Sequence, residues 1–214
     1  MKRLALAAML ALGSAGAQAA TILGVEVGGT LWHTDNELKD SSLRSKSAAA
    51  GSLYAVLEHP LPLVPNVRAE YLHNKNDIRG GDSSETTHAD LTLYYELLDN
   101  WVNLDLGVTA RQMDARLERA GSERKADTVL GAGYVRAQFD LPFTGLSVGA
   151  AAQHGGSFNG SQRMQDYDAY VQYEVGLGFG VAGGYRLQKY RLDYAGAQQK
   201  HEIDGAYARL FWRF

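Results

Sequence analysis

Most of this chain consists of long segments in which apolar and polar residues alternate, and this pattern constrains the fold more than any other feature. Ten such segments occupy approximately residues 21–33, 48–58, 66–76, 87–98, 102–115, 128–140, 146–155, 166–175, 179–194 and 202–214. A period of two is that of a β-strand, whose successive side chains point to opposite faces. Most segments reach the roughly 9 to 11 residues that a tilted strand needs to cross a bilayer, whereas soluble strands average about five or six. The lengths favour a membrane β-barrel.

The connections between these segments alternate strictly between short and long. The four short ones are HPLPLVP, DNW, LPFTG and GLG, and the five longer, polar ones are TDNELKDSSLRSKS, DIRGGDSSET, RLERAGSERKAD, GGSFNGSQRMQ and AGAQQK. Outer-membrane barrels combine short periplasmic turns with longer extracellular loops, and an even number of strands leaves both termini on the periplasmic side. We therefore predict an all-β fold, a closed antiparallel transmembrane barrel of about ten strands.

The two faces of each segment differ in polarity. In the segment 102–115, for example, Leu104, Leu106 and Val108 oppose Asp105 and Thr109. A water-soluble barrel would show the same alternation with its apolar face turned inward. In a membrane barrel the apolar face meets lipid, the polar face lines the lumen, and no sheet edge stays open.

The first 19 residues, MKRLALAAMLALGSAGAQA, have the features of a cleaved secretory signal. Lys2 and Arg3 precede a short apolar run, and Ala17-Gln18-Ala19 matches a signal-peptidase site. We expect cleavage after Ala19 or Ala20, which leaves a single barrel domain over residues 20–214. Export through a signal peptide and the barrel pattern together predict the outer membrane of a Gram-negative cell.

Composition excludes several classes of function. Without Lys2 and Arg3, the 21 basic and 24 acidic residues become 19 and 24, a net charge of −5, which argues against a nucleic-acid partner. The chain contains no cysteine, so it has neither disulfides nor thiolate chemistry. No cofactor is predicted.

The C-terminal segment ends on an aromatic residue. Leu210, Trp212 and Phe214 share one apolar face, and Arg213 lies on the other. This pattern is similar to the C-terminal strand of bacterial outer-membrane proteins, which the barrel-assembly machinery recognises. The resemblance implies that Leu210, Trp212 and Phe214 act as an assembly signal, and that the assembly machinery and periplasmic chaperones are partners during biogenesis.

The stretch LGVEVGGTLW (Leu23 to Trp32), together with the ten-strand layout, resembles a family of small Gram-negative outer-membrane β-barrel proteins marked by a Gly-Gly pair in the first strand, here Gly28-Gly29. The family has no established activity. The resemblance implies a location and an architecture, and it supplies no catalytic residues.

Period-two counting places many charged residues on the lumen side. A ten-strand barrel is narrow, and charges of both signs in it need partners because an unpaired buried charge is costly. We therefore predict an ion-paired network that largely plugs the lumen, and the alternative is a narrow pore for small polar solutes. The predicted network comprises Glu26, Glu70, Asp90, Glu96, Asp105, Arg111, Arg136, Asp168, Glu174, Arg186 and Arg209, and the same parity includes Glu58, Arg68 and Arg213.

Two sharper hypotheses involve the extracellular rim. His33, His73, His88, His154 and His201 lie near the predicted extracellular strand ends, where imidazoles could bind a transition metal. Their parities differ, so convergence on one ion is not expected and no metal site is predicted. An omptin-like surface protease would need acidic residues and a histidine at the mouth, which Asp35, Asp82, Asp114, Asp127 and His88 could supply, but no omptin-like local sequence is present.

The prediction is therefore a monomeric, non-enzymatic outer-membrane barrel with a role in envelope structure or surface interaction. Its expected surroundings are outer-membrane lipid and lipopolysaccharide.

Overall fold

A computed structural model describes residues 23–38, 43–44, 48–61, 63–77, 83–119, 121–194 and 197–214. The predicted signal peptide and the site of its cleavage lie outside the described residues. The described part consists of β-strands: β1 (Gly24–Leu38), β2 (Leu43–Arg44), β3 (Ala48–Glu58), β4 (Asn66–Asp77), β5 (Ser83–Asp99), β6 (Val102–Arg119), β7 (Ser122–Asp140), β8 (Leu146–Gly156), β9 (Arg163–Gly176), β10 (Phe179–Tyr194) and β11 (Ala197–Arg213). It contains no helix long and apolar enough to span a membrane.

The strands form one closed antiparallel sheet. Each barrel strand pairs with the next along the chain, and β11 pairs with β1 to close the cylinder, with Val27 opposite Trp212. Two backbone hydrogen bonds of 2.9 Å between Val25 and Phe214 complete the seam. The two-residue β2 adds only to the end of β1, so ten strands form the wall. The prediction of a closed ten-strand antiparallel barrel is confirmed.

The barrel has two different ends. The lower end carries the four short turns and Phe214, and the upper end carries the other connections. At the upper end the strands run beyond the predicted segments: β6 continues to Arg119 and β7 already begins at Ser122, so the predicted loop RLERAGSERKAD is mostly strand. Strands β5, β9 and β11 likewise begin earlier, at Ser83, Arg163 and Ala197.

Along β6, β7, β9 and β10 the outward and inward faces exchange their polarity, and β6 shows the change most clearly. In its lower half Leu106 and Val108 point outward and are exposed, while Asp105 points inward and is buried. In its upper half Asp114 points outward and Met113 points inward. On these strands the lower barrel is therefore apolar outside and polar inside, and the upper barrel is polar outside and apolar inside. The same exchange occurs in β10, where outward Val181 and Tyr185 give way to Lys189 and Arg191.

Aromatic residues mark the lower edge of the outward apolar band. Trp212 packs against Phe179, with ring centroids 5.4 Å apart, and against Phe214 at 4.5 Å. The indole of Trp212 also donates a hydrogen bond to the carbonyl of Leu177, whose φ of 54° is left-handed, and the turn residue Leu63 at φ 68° accepts one from Tyr95. These aromatic side chains hold strained turns in place.

Small and large residues face each other across neighbouring strands in the lumen. Gly28 points inward beneath the ring of Tyr54 on the next strand, and a β-carbon there would lie 2.5 Å from that ring. The same arrangement recurs where Gly149 faces Tyr170, Gly180 faces Phe211 and Gly184 faces Tyr207. The first glycine of the Gly-Gly pair thus makes room for a lumen tyrosine, while Gly29 points outward.

Candidate functional site

The middle of the lumen is occupied by a charged cluster around two buried arginines, Arg111 on β6 and Arg186 on β10. Arg111 is fully buried and grips its register partner Asp90 with two hydrogen bonds, Nε to Oδ1 at 2.7 Å and Nη2 to Oδ2 at 2.6 Å. Arg186 grips Asp166 in the same way, at 2.9 and 2.8 Å. Asp90 and Asp166 are each less than a tenth exposed, so these pairs lie outside bulk solvent.

Asp166 joins the two halves of this cluster. Its Oδ2 also accepts hydrogen bonds from Arg111 Nη2 at 2.9 Å and from Gln188 Nε2 at 2.8 Å. Arg186 continues the chain across the barrel by donating from Nη1 to Glu70 Oε1 at 2.7 Å. The network therefore links β4, β5, β6, β9 and β10, and the contacts of Arg111 with Asp166 and of Arg186 with Glu70 cross the lumen. These hydrogen bonds hold the long side chains of Arg111 and Arg186 in place across the lumen.

Below this cluster, separate arginine–aspartate ion pairs line the lower lumen. Arg136 donates to its register partner Asp105 at 2.6 Å, and Arg209 donates to Asp168 at 3.3 Å. Asp168 also accepts a hydrogen bond from Tyr207 at 2.8 Å. A cavity of about 50 Å³, lined by Arg136, Asp168 and Arg209 among others, lies in this part of the lumen and has room for a few water molecules.

The remaining predicted lumen residues lie at the lower mouth. Arg213 binds Glu26 at 2.6 Å and reaches Glu174 at 3.5 Å, and these side chains are more exposed than the central cluster. Glu96 is exposed at the lower end of β5. The structure thus brings nine predicted residues into buried or half-buried positions inside the wall, and it leaves Glu96 and Glu174 at the rim. The nine are Glu26, Glu70, Asp90, Asp105, Arg111, Arg136, Asp168, Arg186 and Arg209.

Above the charged cluster the lumen is closed by a second layer, here called the apolar seal. Its members are buried side chains contributed by strands around the barrel, and they pack into one cluster. They include Trp32, Leu72, Met113, Leu117, Leu130, Met164, Leu192 and Ile203. Met113, Leu130, Met164 and Leu192 are each at most 1 % exposed. The seal excludes solvent from the upper lumen.

Sequence reasoning missed both the seal and Asp166. Asp166 is the first residue of the predicted segment 166–175 and shares the parity of Asp168 and Tyr170, so counting that parity from the start of the segment would have found it. Met113 and Leu117 continue the inward parity of Arg111 in the same way. For the seal, the missed signal was that the alternation continues along the strand while the inward positions become apolar and the outward positions become polar.

The described residues do not assemble the rim hypotheses. His33, His73 and His154 point outward, whereas His88 is buried in the lumen. The described part contains no group of three or more histidine or acidic side chains placed to hold a metal ion. Asp35, Asp114 and Asp127 point outward, away from His88, and Asp82 lies outside the described residues. No acid–histidine pair of the omptin kind forms here.

Two residues of the predicted assembly signal, Leu210 and Trp212, lie on the outward face of β11, and Phe214 directly follows the strand. Leu210, Trp212 and Phe214 are 68 %, 38 % and 40 % exposed. They form one edge of the apolar band beside the closing seam with β1.

Comparison with known proteins shows the fold. No family model and no curated protein matches the chain. The translocator domain of the autotransporter NalP from Neisseria meningitidis is 14 % identical, with a TM-score of 0.50, over all of this chain and 96 % of that chain. An outer-membrane channel from Pseudomonas putida F1 is 12 % identical, with a TM-score of 0.48, over 90 % of this chain and 96 % of that chain. The outer-membrane protease OmpT from Escherichia coli is 12 % identical, with a TM-score of 0.41, over 91 % and 97 %. At these identities the likeness concerns architecture and not activity.

Proposed function

We propose that this protein is a monomeric, non-enzymatic barrel of the Gram-negative outer membrane whose lumen is closed and whose role is exerted at the cell surface. The observation that carries the proposal is the double closure of the lumen, by the charged cluster around Arg111 and Arg186 and by the apolar seal above it. A barrel built for diffusion would leave one continuous polar path. This barrel places buried side chains across the path at two successive levels.

The outward apolar band supports a membrane location. Leu53, Val108 and Phe179 point outward and are 69 %, 61 % and 54 % exposed. Exposure of so much apolar surface to water is unfavourable, and contact with lipid would remove this cost. The 18 residues of β6, at about 3.3 Å each and a tilt of about 40°, span roughly 45 Å. An apolar band is about 25 Å tall in such barrels, so the polar upper part would stand well above the membrane.

The detergent requirement tests the membrane location. The refolded mature chain should remain folded and monodisperse only in detergent or lipid, with heat-modifiable migration on gels. A monodisperse β-rich protein in plain buffer would overturn the proposal.

The polar upper barrel is the part that we assign to surface interaction. Cysteine labelling on intact cells tests its orientation, and the absence of native cysteine gives a clean background. Ser122 begins β7 at the upper tip, and Asn100 lies in the lower turn between β5 and β6. An impermeant maleimide should label S122C and not N100C. Labelling of N100C alone would invert the topology.

The lower strand end also supports the proposed assembly signal. Leu210, Trp212 and Phe214 present a continuous apolar edge next to the seam that closes last in chain order. We propose that the barrel-assembly machinery, assisted by periplasmic chaperones, recognises this edge. Replacing Trp212 and Phe214 together with alanine should lower the amount of protein in the outer-membrane fraction, and an unchanged amount would contradict the assignment.

A second candidate function is a narrow polar pore, and one observation favours it. The seal is not apolar on every side, because Thr34, Asn74, Asn76, Thr86 and His88 form a buried polar ladder along β1, β4 and β5. Neither ring nitrogen of His88 has a hydrogen-bond partner. A conduction path through the upper lumen would follow this ladder.

Planar-bilayer conductance separates the two candidates. We expect the refolded wild type, verified by heat-modifiable migration, to give no steady conductance. The variant R111A/M113A/L130A truncates both closures and should produce measurable currents, whereas V108A, on the outward face, should stay silent. A steady, ion-selective conductance of the wild type would refute the closed lumen and favour the pore.

A further inference from the structure

A row of basic side chains lies on the outward face of the upper barrel. Arg191 on β10 is the register partner of Arg163 on β9 and of Lys200 on β11. The alternation turns all three outward, because Met164, Leu192 and Ile203 beside them point inward and are buried. Lys189 lies one step lower on the same face and pairs with Glu202 at 3.5 Å. The row spans three adjacent strands.

Like charges directly opposite each other on neighbouring strands destabilise a sheet. Within the part of the chain that the structure describes, neither Arg163 nor Arg191 has an ion-pair partner. The acidic residues near them on the same face are Asp193, two positions along β10, and Glu202, which pairs with Lys189. An arrangement of this kind favours an anion placed between the two guanidinium groups.

The outward upper surface of β6 and β7 has a different balance of charge. On β6 and β7 the partners Asp114 and Asp127 are both acidic. Above them Arg116 lies between Glu85 and Lys125, and Lys125 pairs with Glu123 at 3.3 Å. The described surface of β6 and β7 is therefore rich in acidic residues, whereas two arginines face each other on β9 and β10.

An apolar groove lies directly below the basic row. Its floor is formed by small outward residues, Ala137, Ala150, Ala152 and Ala169, and its walls by Val135, Tyr167, Tyr185 and Leu187. The groove has a volume of about 530 Å³. Tyr167 and Leu187 stand four residues below Arg163 and Arg191 on the same strands, a vertical distance of roughly 10 Å for tilted strands. A molecule with an anionic head and a long apolar tail would fit both features at once.

We propose that this surface binds a phosphorylated glycolipid of the outer leaflet, the lipopolysaccharide class, with phosphate oxygens between Arg163 and Arg191 and an acyl chain in the alanine-floored groove. This proposal rests on the proposed outer-membrane location, since that location places the basic row at the headgroup level of the outer leaflet. Arginine offers paired N–H donors that match phosphate oxygens. The groove explains why the ligand is a lipid and not free phosphate.

The test uses the full mature barrel refolded in a neutral detergent. Purified rough lipopolysaccharide, the same glycolipid after enzymatic removal of its phosphates, and inorganic phosphate are titrated separately. Bound lipid is measured by native mass spectrometry, and stabilisation by the temperature at which heat-modifiable migration is lost. The variants are R163Q/R191Q for the head site and A150F for the groove. The matched control is R116Q/K125Q, which removes the same charge from β6 and β7.

We expect wild type and R116Q/K125Q to bind phosphorylated lipopolysaccharide alike, and R163Q/R191Q to lose about tenfold or more in affinity. A150F should also weaken binding because its side chain fills the groove. Equal binding by R163Q/R191Q and wild type, or equal binding of the dephosphorylated glycolipid, would overturn the proposal. Stabilisation by inorganic phosphate to the same extent would overturn the lipid assignment. If the wild type folds in detergent but ignores lipopolysaccharide, this inference fails while the closed outer-membrane barrel stands.

Discussion

Replacing Asp166 with asparagine probes whether the lumen is dry and closed. Asp166 accepts four hydrogen bonds, two from Arg186 at 2.9 and 2.8 Å, one from Arg111 at 2.9 Å and one from Gln188 at 2.8 Å. Asparagine keeps the shape but removes the negative charge and turns one acceptor into a donor that faces a guanidinium group. Removing one partner of a buried ion pair costs about 3 to 5 kcal/mol. Since Arg111 keeps Asp90 and Arg186 keeps Glu70, we expect a loss near the lower limit, about 3 kcal/mol.

The free energy of unfolding can be measured by denaturant titration in lipid vesicles, followed by tryptophan fluorescence and heat-modifiable migration. Glu174→Gln is the matched control, because Glu174 reaches Arg213 at 3.5 Å in an ion pair whose side chains are 43 % and 44 % exposed. An exposed pair contributes less than about 1 kcal/mol. If D166N cost no more than E174Q, water would have to reach Asp166, and the lumen would be hydrated instead of closed.

Two further predictions concern the wall. Leu106→Arg should lower the free energy of unfolding in vesicles by about 2 to 4 kcal/mol, because Leu106 is part of the outward apolar band. Gln112→Arg, on the same face of β6 but above the band, should change it little. Equal losses in the two variants would contradict the polarity exchange. Gly28→Ala should cost about 1 to 3 kcal/mol because its β-carbon overlaps the facing tyrosine ring, and Gly29→Ala, which points outward, should be nearly neutral in the same titration. Equal effects of the two glycine variants would show that this ring can move without loss.

The sequence predicted the lower barrel well because one rule governs it. Alternation assigns Leu106 and Asp105 to opposite faces, and the hydrophobic effect then decides which face meets lipid. The pairing of Asp90 with Arg111 also follows from parity and from the antiparallel register of neighbouring strands. These are local relations, and local relations can be counted along a chain.

The upper barrel escaped prediction because the same rule changes sign there. The outward positions Arg163 and Gln165 are polar, and the sequence pattern therefore predicts a loop for this stretch. The strand continues nonetheless, with polar residues such as Arg163 outward and Met164 of the seal inward. Contacts across the lumen depend on closure of the whole cylinder. Arg186 and Glu70, for example, are 116 positions apart in the chain, so no local pattern predicts their contact.

The polar tips of the upper hairpins have a consequence for the rate at which the barrel enters a membrane. The tip of the β6–β7 hairpin carries Arg116, Glu118, Glu123 and Lys125 within a few residues of the turn, and in an outer-membrane topology this tip must traverse the bilayer. A basic side chain at the midplane costs about 2 to 4 kcal/mol, and an acidic one less, so one tip alone raises the barrier of the crossing by several kcal/mol. That penalty is absent once the tip has emerged on the far side. Spontaneous insertion should therefore accelerate steeply in short-chain lipids that thin the bilayer, while the equilibrium stability of the inserted barrel varies much less.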